Sequence, residues 1–497
     1  MLSQCAQALL TSSIGRTLGD VPTPASAASA TTSREQKLVL SIAIIASFVS
    51  FLDGTIVNVA LPAILEDFGG GIATQQWTVD AYLLTLGSLI LVAGSVSDTY
   101  GRLRVIRWGL IGFAVTSIAI AAAPTAEVLI GARLFQGAAG ALLVPSSLAL
   151  IMTNFRGGAQ ARAIGTWTGM TAGAMVVGPV IGGLFVDFAS WRFAFLINVA
   201  PIAVTLWLLT RLTQKDVRLP DARIDVTSAV LCVAGLGGMV YALIEEPAYG
   251  WGSAQIWAPA VIGVAAFTAF IWRQASAARD PKREPMMPLD LFTARNFAWG
   301  NLSTFLVYGA LSLNGFVIAV YLQEQAGLSA TAAGLASLPI TIIMIALSSQ
   351  VGALAGRIGP RVFMTAGPMA MAAGSLLMLT VSEEFNYWWQ LLPGIIVFGL
   401  GLTATVSPLT SAILGAIDTS RSGIASAVNN AVSRIAGLVA IALIGTIVGG
   451  QLDLSGFHQA MIVTASLLTL GGIASWVGIR NPVAPGEDAE SMDTATT

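Results

Sequence analysis

One carboxylate, Asp53, lies deep inside the first long apolar run of this 497-residue chain. If the run that starts at residue 38 forms a helix, a rise of about 1.5 Å per residue places Asp53 ~20 Å from its start. A carboxylate at that depth in a membrane costs ~2.5–3.5 kcal/mol, and acids in such places are functional by default. Asp53 could bind and release a proton as its access to water changes. Alternatively, it anchors a hydrogen bond to another helix and is purely structural.

A second charge, Arg133, lies in another apolar run, and Gln136, Gly137 and Gly140 share its face at helical spacing. The glycines allow a neighbouring helix to pack closely, and the guanidinium keeps its proton at any ordinary pH. Arg133 could therefore hold Asp53 ionised until a substrate or a conformational change separates them. The alternative is a buried ion pair that only fixes how the helices pack.

The turn GSVSDTYGRLR (94–104) combines Gly94, Asp98, Gly101, Arg102 and Arg104 between two apolar runs. Asp98 lies near the carboxyl end of the preceding helix, where the helix dipole disfavours an acid. It therefore needs a cationic partner or the N-terminus of another helix. A basic loop that only sets topology explains the arginines but not Asp98.

The segment GAMVVGPVIGG (173–183) weakens the middle of its helix through Gly173, Gly178, Pro179, Gly182 and Gly183. Proline removes one backbone hydrogen bond and kinks the helix. Glycines four residues apart lie on one face and allow a facing helix to approach closely. We predict a tight helix contact here.

A third buried charge, Arg434, has Asn430 one helical turn before it and Asn429 nearby. A charge beside two amides indicates the wall of a water-filled cavity, and we assign Asn58 and Gln136 to the same substrate cavity. Alternatively, Arg434 pairs with an acid elsewhere in the bundle.

Two further acids, Asp80 and Glu127, lie near the ends of their apolar runs. An acid close to the membrane interface stays hydrated, so its charge costs little free energy there. We therefore interpret both residues as structural.

The composition points to a protein whose surface faces lipid. Of all residues, 55% are hydrophobic and only 10% are charged, against about a quarter in soluble domains. A net charge of −2 argues against nucleic-acid binding. A single histidine and two cysteines argue against a metal site or a disulfide framework.

A helix needs about 20 apolar residues to cross a membrane, and the chain contains fourteen such runs. The fold class that they predict is an all-α polytopic membrane protein. The predicted spans are 38–63, 76–96, 105–123, 127–152, 162–186, 193–211, 226–244, 256–272, 297–321, 332–355, 362–381, 389–412, 422–449 and 459–479.

We divide the chain into an N-terminal six-helix bundle (38–212), two extra membrane helices with their flanking loops (213–296) and a C-terminal six-helix bundle (297–480). Residues 1–37 and 481–497 are expected to be disordered cytoplasmic tails. The first 36 residues lack a secretory signal and could also represent an overlong gene start.

Lysine and arginine placement predicts the orientation. If residue 37 is inside, the outer loops receive Arg192 alone, and the other loop cations fall inside. Because such cations stay in the cytoplasm, both termini are predicted to be cytoplasmic in the cell membrane. The inner cations lie in 102–107, 156–162, 211–223, 273–295, 357–361 and at 421.

Five segments together resemble the major facilitator superfamily and, more narrowly, its fourteen-helix drug:proton antiporters. They are FLDGTIVNVALPAI (51–64), GSVSDTYGRLR (94–104), ARLFQGAAGALLVP (132–145), GAMVVGPVIGG (173–183) and GIASAVNNAVSRIAG (423–437).

The superfamily has two similar halves, and the inner turn GALAGRIGPR (352–361) is similar to the turn at 94–104. The second turn departs from the pattern, since Gly356 stands where an acid would sit.

The resemblance implies a role for each motif. Asp53 and Arg133 would couple transport to protons, and the turn around Asp98 would lock the cytoplasmic side closed. The glycine-proline motif at 173–183 would mark an exporter.

We therefore predict a proton-coupled exporter of amphipathic or cationic organic compounds that acts as a monomer in the lipid bilayer. No cofactor is expected, because the proton gradient supplies the energy and no lysine lies in an ATP-binding motif. Alternatives with the same fold are a dedicated exporter of an endogenous metabolite or antibiotic and a nutrient importer. A membrane-embedded enzyme would need a constellation of acids or histidines that the chain lacks.

Overall fold

The computed structural model describes residues 33–213, 216, 224–279, 285–418 and 421–481. These residues contain fourteen helices long and apolar enough to cross a membrane, and no β-strand, which confirms the predicted fold class. The helices are α1 (Arg34–Phe68), α2 (Gly71–Tyr100), α3 (Arg102–Ala121), α4 (Ala126–Asn154), α5 (Gly157–Phe188), α6 (Arg192–Thr210), α7 (Val226–Tyr249), α8 (Ala254–Ala277), α9 (Arg295–Glu324), α10 (Ala330–Ile358), α11 (Pro360–Thr380), α12 (Tyr387–Leu414), α13 (Ser422–Val448) and α14 (Leu454–Gly478).

Most of the helices begin a few residues before the apolar runs that predicted them. At the start of α1, the Ser33 side chain accepts from the Gln36 N–H, and the Gln36 side chain accepts from the Ser33 N–H. This capping box starts α1 at Arg34, four residues before the predicted boundary. Asp53 is consequently ~28 Å from the helix start, at about 1.5 Å per residue, and lies near the middle of α1. Residues 1–32 and 482–497, where disordered tails were predicted, lie outside the described residues.

Three of the helices are interrupted within their spans. The regular helix of α6 breaks between Leu196 and Val199, that of α10 at Ser337 and that of α13 at Leu443. The break in α6 leaves Asn198 between two helical pieces, where its side chain can reach α1.

The helices form two bundles, α1–α6 and α9–α14, and the extra pair α7 and α8 packs outside them. Gly235 and Gly238 of α7 meet Gly263 of α8, so that the two backbones touch. The face of α7 opposite α8 covers α2 and α13, where the two bundles meet.

The resemblance between the two turns is also structural. Gly101 and Gly359 both have a φ of +98°, a conformation that side chains disfavour, and each precedes a helix start. The Asp216 carboxylate accepts from the first amides of α3, and the Asn481 side chain accepts from an amide of α11. Each half therefore caps its third helix with a polar residue that follows its last helix.

The two bundles are hydrogen-bonded at the end of the molecule opposite the chain termini, which we call the far side; the end with the termini is the tail side. Gln75 of α2 donates to Glu324 of α9 at 2.6 Å, and Gln76 donates to the Ile441 carbonyl of α13 at 2.7 Å. The Asp187 carboxylate of α5 accepts from the first amides of α10 at 2.9 and 2.8 Å. These contacts close the far side.

On the tail side, α5 and α10 lie apart. Most residues of α5 between 162 and 170 are exposed, and Gly165 and Gly169 have no neighbouring atom within 4 Å. The tail-side half of α10 is similarly exposed, including Leu354 and Ile358. The protein is therefore closed on the far side and open on the tail side.

Candidate functional site

A buried ion pair joins α1 to α4 at the centre of the N-terminal bundle. Nη1 of Arg133 lies 2.5 Å from Oδ2 of Asp53, and both side chains have no solvent exposure. Gly137, one turn after Arg133, meets the Tyr82 carbonyl so closely that a Cβ would not fit, which brings α4 against α2. The sequence placed both charges in apolar runs, and the fold brings them into direct contact.

Three side chains donate hydrogen bonds to the buried carboxylate of Asp53. The Arg133 guanidinium donates to Oδ2, while Gln136 and Asn198 donate to Oδ1 at 3.1 and 3.0 Å. An ionised carboxylate only accepts hydrogen bonds, so this set of partners fits the ionised form of Asp53.

Asn198 was missed by the sequence analysis. Its signal was weak, because one amide in an apolar run followed by Pro201 is common in membrane helices. The packing of α6 against α1 brings its side chain to Asp53.

Arg133 is fixed by the elements around it. Its Nε donates to the Thr78 carbonyl of α2 at 2.9 Å, and its Nη1 also donates to Gln136 at 2.7 Å. The guanidinium carbon lies 4.4 Å from the centre of the Tyr82 ring. The arginine therefore links α1, α2 and α4.

A cavity of about 100 Å³ lies beside this pair, between the two bundles. Its polar lining includes Asn58 and Arg133 from the first bundle and Ser312 and Arg434 from the second. Within the described chain, Arg434 has no ion pair or hydrogen bond, and its guanidinium faces the Phe51 ring at 5.5 Å. It is thus a wall of the cavity and not the partner of an acid.

Three of the predicted cavity residues lie elsewhere. Gln136 is completely buried behind the cavity, within the ion-pair network, because it is needed to satisfy Asp53. Asn429 donates to Asn301 and to Thr304 of α9, and Asn430 donates to the Ser426 carbonyl of its own helix. Asn429 therefore joins α13 to α9, whereas the hydrogen bond of Asn430 lies within α13.

The environment of Asp80 differs from the expectation of a solvated acid near the interface. Asp80 has no solvent exposure, and neither of its carboxylate oxygens has a hydrogen-bond partner among the described residues. The reason is tertiary: α4, α7 and α13 all pack on α2 and cover this part of it. Glu127 is exposed, as expected.

The charged turn between α2 and α3 lies on the tail side. Asp98 of α2 pairs with Arg102, the first residue of α3, at 3.3 Å, and Arg102 also donates to the Ala149 carbonyl of α4 at 3.0 Å. The Asp98 side chain is 37% exposed, and Gly94 has no neighbouring atom within 4 Å. In this conformation Asp98 has only a local partner.

The start of α3 has a second acid that the sequence analysis did not single out. Asp216 accepts from the amides of Leu103 and Arg104 at 3.1 and 3.0 Å, and it packs directly against Gly101. A carboxylate at this position satisfies free amides and interacts favourably with the helix dipole.

The glycine-proline segment of α5 packs against both bundles. On the α1 side, a Cβ on Gly178 would collide with Thr55, and one on Gly182 would collide with Ile56. This contact lies within the first bundle.

On the other side of α5, the glycines meet α10 of the second bundle. A Cβ on Gly183 would lie 2.5–2.7 Å from the backbone of Thr331 and Ala330, and Gly334 lies against the Pro179 carbonyl. Gly173, in contrast, has no neighbouring atom within 4 Å. Close backbone packing at Gly183 and Gly334 is therefore part of the far-side closure.

We expect Asp98→Asn to slow transport in both energised and exchange assays while leaving substrate binding and thermal stability nearly unchanged. A solvent-exposed ion pair contributes only ~0.2–1 kcal/mol, so the loss of this pair costs little stability in this conformation. The effect should arise in the state that closes the tail side, where Asp98 requires another partner. Transport rates and equilibrium binding of purified protein check this, and lost binding with preserved exchange would contradict the gating role.

The fold and the site define a class: a helical membrane protein of two bundles around a central cavity with a buried ion pair, built to transport a small molecule.

Among the described residues, no group of three histidine, cysteine or acidic side chains could hold a metal ion.

Comparison with known proteins identifies the family. A sequence profile of the Major Facilitator Superfamily matches residues 43–441. The chain is 32% identical to the Methylenomycin A resistance protein of Streptomyces coelicolor, over 87% of this chain and 90% of that protein. It is 35% identical to the Multidrug resistance protein Stp of Mycobacterium tuberculosis, over 84% of this chain and 77% of that one. It is also 31% identical to the Tetracenomycin C resistance and export protein of Streptomyces glaucescens, over 80% and 73%.

The fold is similar to that of an auto-inhibited POT family peptide transporter. The TM-score is 0.65 at 14% identity, and the match covers 91% of this chain and 99% of that chain. The chain belongs to the Major Facilitator Superfamily, whose members are transporters and not enzymes.

Proposed function

We propose that this protein is a proton-coupled antiporter that exports amphipathic organic compounds. The observation that carries the proposal is the Asp53–Arg133 pair, which is sealed from solvent and adjoins the cavity between the bundles. Resistance to and export of antibiotics, named for the related proteins, support the export direction.

Coupling follows from the chemistry of the pair. Protonation of Asp53 removes the negative charge that Arg133 contacts, and an unpaired buried charge is costly. The protonated state should therefore prefer a different arrangement of α1 and α4, and this preference links proton binding to the change of access. One proton that crosses 100 mV supplies ~2.3 kcal/mol, enough to hold roughly a forty-fold substrate gradient.

We place the tail side in the cytoplasm of a cell-membrane protein, from the arginine-rich tail-side loops. The described conformation is then the inward-facing one, with a cavity that opens toward the cytoplasm.

A labelling experiment tests this orientation. In a cysteine-free background, cysteines at 248, 325 and 384 should react with an impermeant thiol reagent added outside intact cells, while those at 282 and 420 should react only after lysis. Reversed labelling at two of these positions would contradict the orientation.

Transport in proteoliposomes tests the function itself. We expect an imposed pH gradient to drive uphill movement of a fluorescent amphipathic substrate, and addition of substrate to release protons measurably. The matched control is the Asp53→Asn protein in the same lipid. Substrate movement that needs no gradient and releases no protons would instead indicate a uniporter.

A dedicated exporter of one antibiotic is the second candidate, since the tetracenomycin C relative is named for the export of a single compound. A narrow substrate range in the same assay would favour it.

A further inference from the structure

Two arginines of the central cavity have buried N–H groups without an acceptor. Nη2 of Arg133 and Nε of Arg434 are both inaccessible to solvent and lack a hydrogen-bond partner among the described residues. Arg133 comes from the first bundle and Arg434 from the second, and both line the same cavity. Buried guanidinium donors are nearly always paired, so two of them at one cavity point to a missing acceptor.

Among the described residues, no acid is placed to fill that role. The cavity lining contains no aspartate or glutamate. The nearby carboxylate, Asp53, already uses both of its oxygens on Arg133, Gln136 and Asn198. Two arginine charges against one aspartate leave the site with an excess of one positive charge.

The remaining lining suits an amphipathic molecule. Val57, Val79, Leu83 and Ile441 form apolar walls, and Asn58 and Ser312 add neutral polar groups. A compound with a carboxylate or another oxyanion on an apolar body would match both the donors and the walls.

We propose that Arg133 and Arg434 together bind the acidic group of the exported compound, so that the substrates are amphipathic organic anions. This inference rests on the proposed export function and specifies its substrate class. It departs from the cationic compounds that the family resemblance implies, because a cation in this cavity would face two guanidinium groups and no free carboxylate.

The two arginines belong to different bundles, so an acidic group bound to both would act on the conformational change. An oxyanion held by both would bridge the two bundles at the point where they move relative to each other. It would also compete with Asp53 for Arg133, and so would tie substrate binding to the state of the ion pair.

An anionic lipid headgroup has the same chemistry and could reach the cavity from the bilayer. We assign the site to the exported compound, because the cavity lies between the bundles and is lined from both of them. The experiment below separates the two sources.

Equilibrium binding to the purified full-length protein tests the proposal without requiring transport. The probes are tritiated 2-naphthoate, an aromatic carboxylate, and 2-naphthamide, its neutral counterpart, in a neutral detergent. We expect the carboxylate to bind at least about tenfold more tightly, as charge-assisted hydrogen bonds warrant. Equal affinities, or tighter binding of the amide, would overturn the proposal, even if proton-coupled transport is later shown for another compound.

Variants of Arg434 test whether this residue causes the preference for the carboxylate. Arg434→Gln should reduce the preference for naphthoate over naphthamide to near unity and leave naphthamide binding almost unchanged, whereas Arg434→Lys should retain part of the preference. Arg357→Gln, at an exposed arginine of α10, is the matched control and should bind like the wild type. An equal loss of both ligands in Arg434→Gln, or an unchanged preference, would remove Arg434 from the site. If Arg434→Gln does not fold, the wild-type preference and Arg434→Lys still decide the outcome.

Added phosphatidylglycerol tests whether a lipid headgroup, instead of the exported compound, occupies the site. We expect a small molar excess over protein to leave naphthoate binding unchanged. Competitive displacement by phosphatidylglycerol would show that the headgroup occupies the site and would overturn the substrate assignment.

Discussion

Asp53→Asn should abolish accumulation of substrate against a gradient when ΔpH is the only energy source, while exchange and downhill movement survive. Asparagine keeps the size of the side chain but cannot carry a proton. It can also keep much of the hydrogen bonding, because the Oδ1 of Asn198 has no partner and could accept from the new amide. Uphill and downhill flux of the same purified protein in proteoliposomes are the measurements.

The substitution also leaves Arg133 as a buried charge without its partner, which costs ~3–5 kcal/mol when one half of a buried pair is removed. The thermal unfolding midpoint of Asp53→Asn should therefore fall. In the double variant Asp53→Asn with Arg133→Gln no unpaired charge remains, and the midpoint should recover without recovery of uphill transport.

This pair of variants separates coupling from structure. If Asp53 is only an anchor, the double variant should regain ΔpH-driven accumulation together with its stability. Uphill pumping by either protein would remove Asp53 from the coupling mechanism, and the buried, unpartnered Asp80 would be the next acid to test.

Gly183→Val should prevent the far side from closing and reduce transport by at least about tenfold, since overpacking against backbone costs ~1–3 kcal/mol and tenfold corresponds to ~1.4 kcal/mol. A side chain at this position would collide with the backbone at the start of α10, in the other bundle. The backbone cannot move aside as a flexible side chain could, so the clash is relieved only when the bundles separate. Transport rate checks the first consequence, and labelling from outside of a cysteine at 79, a buried residue of the cavity lining, checks the second.

Two neighbouring glycines provide controls. A side chain at Gly173 meets no neighbouring helix, so Gly173→Ala should transport like the wild type. Gly182→Val meets Ile56 within the first bundle and should lower stability without making position 79 reactive from outside. Normal transport by Gly183→Val, or equal labelling in Gly182→Val and Gly183→Val, would contradict a gating contact at α5 and α10.

The sequence by itself determined the number and approximate position of the membrane helices. A span needs a certain length of apolar residues, and this requirement acts on each segment independently of its neighbours. For the same reason, Asp53, Arg133 and Arg434 could be recognised as exceptional, because a charge in such a segment is costly wherever the helix packs. The turn at 94–104 and the glycines at 173–183 were likewise visible in local patterns.

The ends of the helices were harder to predict from the lengths of the apolar runs. The capping box at Ser33 and Gln36 lengthens α1 through polar contacts that an apolar window does not count. The caps at Asp216 and Asn481 come from residues more than a hundred positions away from the helices they cap.

Only the tertiary structure decided which charges meet. Asp53 and Arg133 are 80 positions apart, and Asn198, which also donates to Asp53, is 145 positions away. Asp80 lies near a helix end, where solvation was expected, yet three helices cover it. Partnering and burial depend on which helix faces sit against one another, and many packings satisfy the same apolar lengths. The excess positive charge of the cavity follows from such packing, because it depends on Arg434 finding no acid in the assembled bundle.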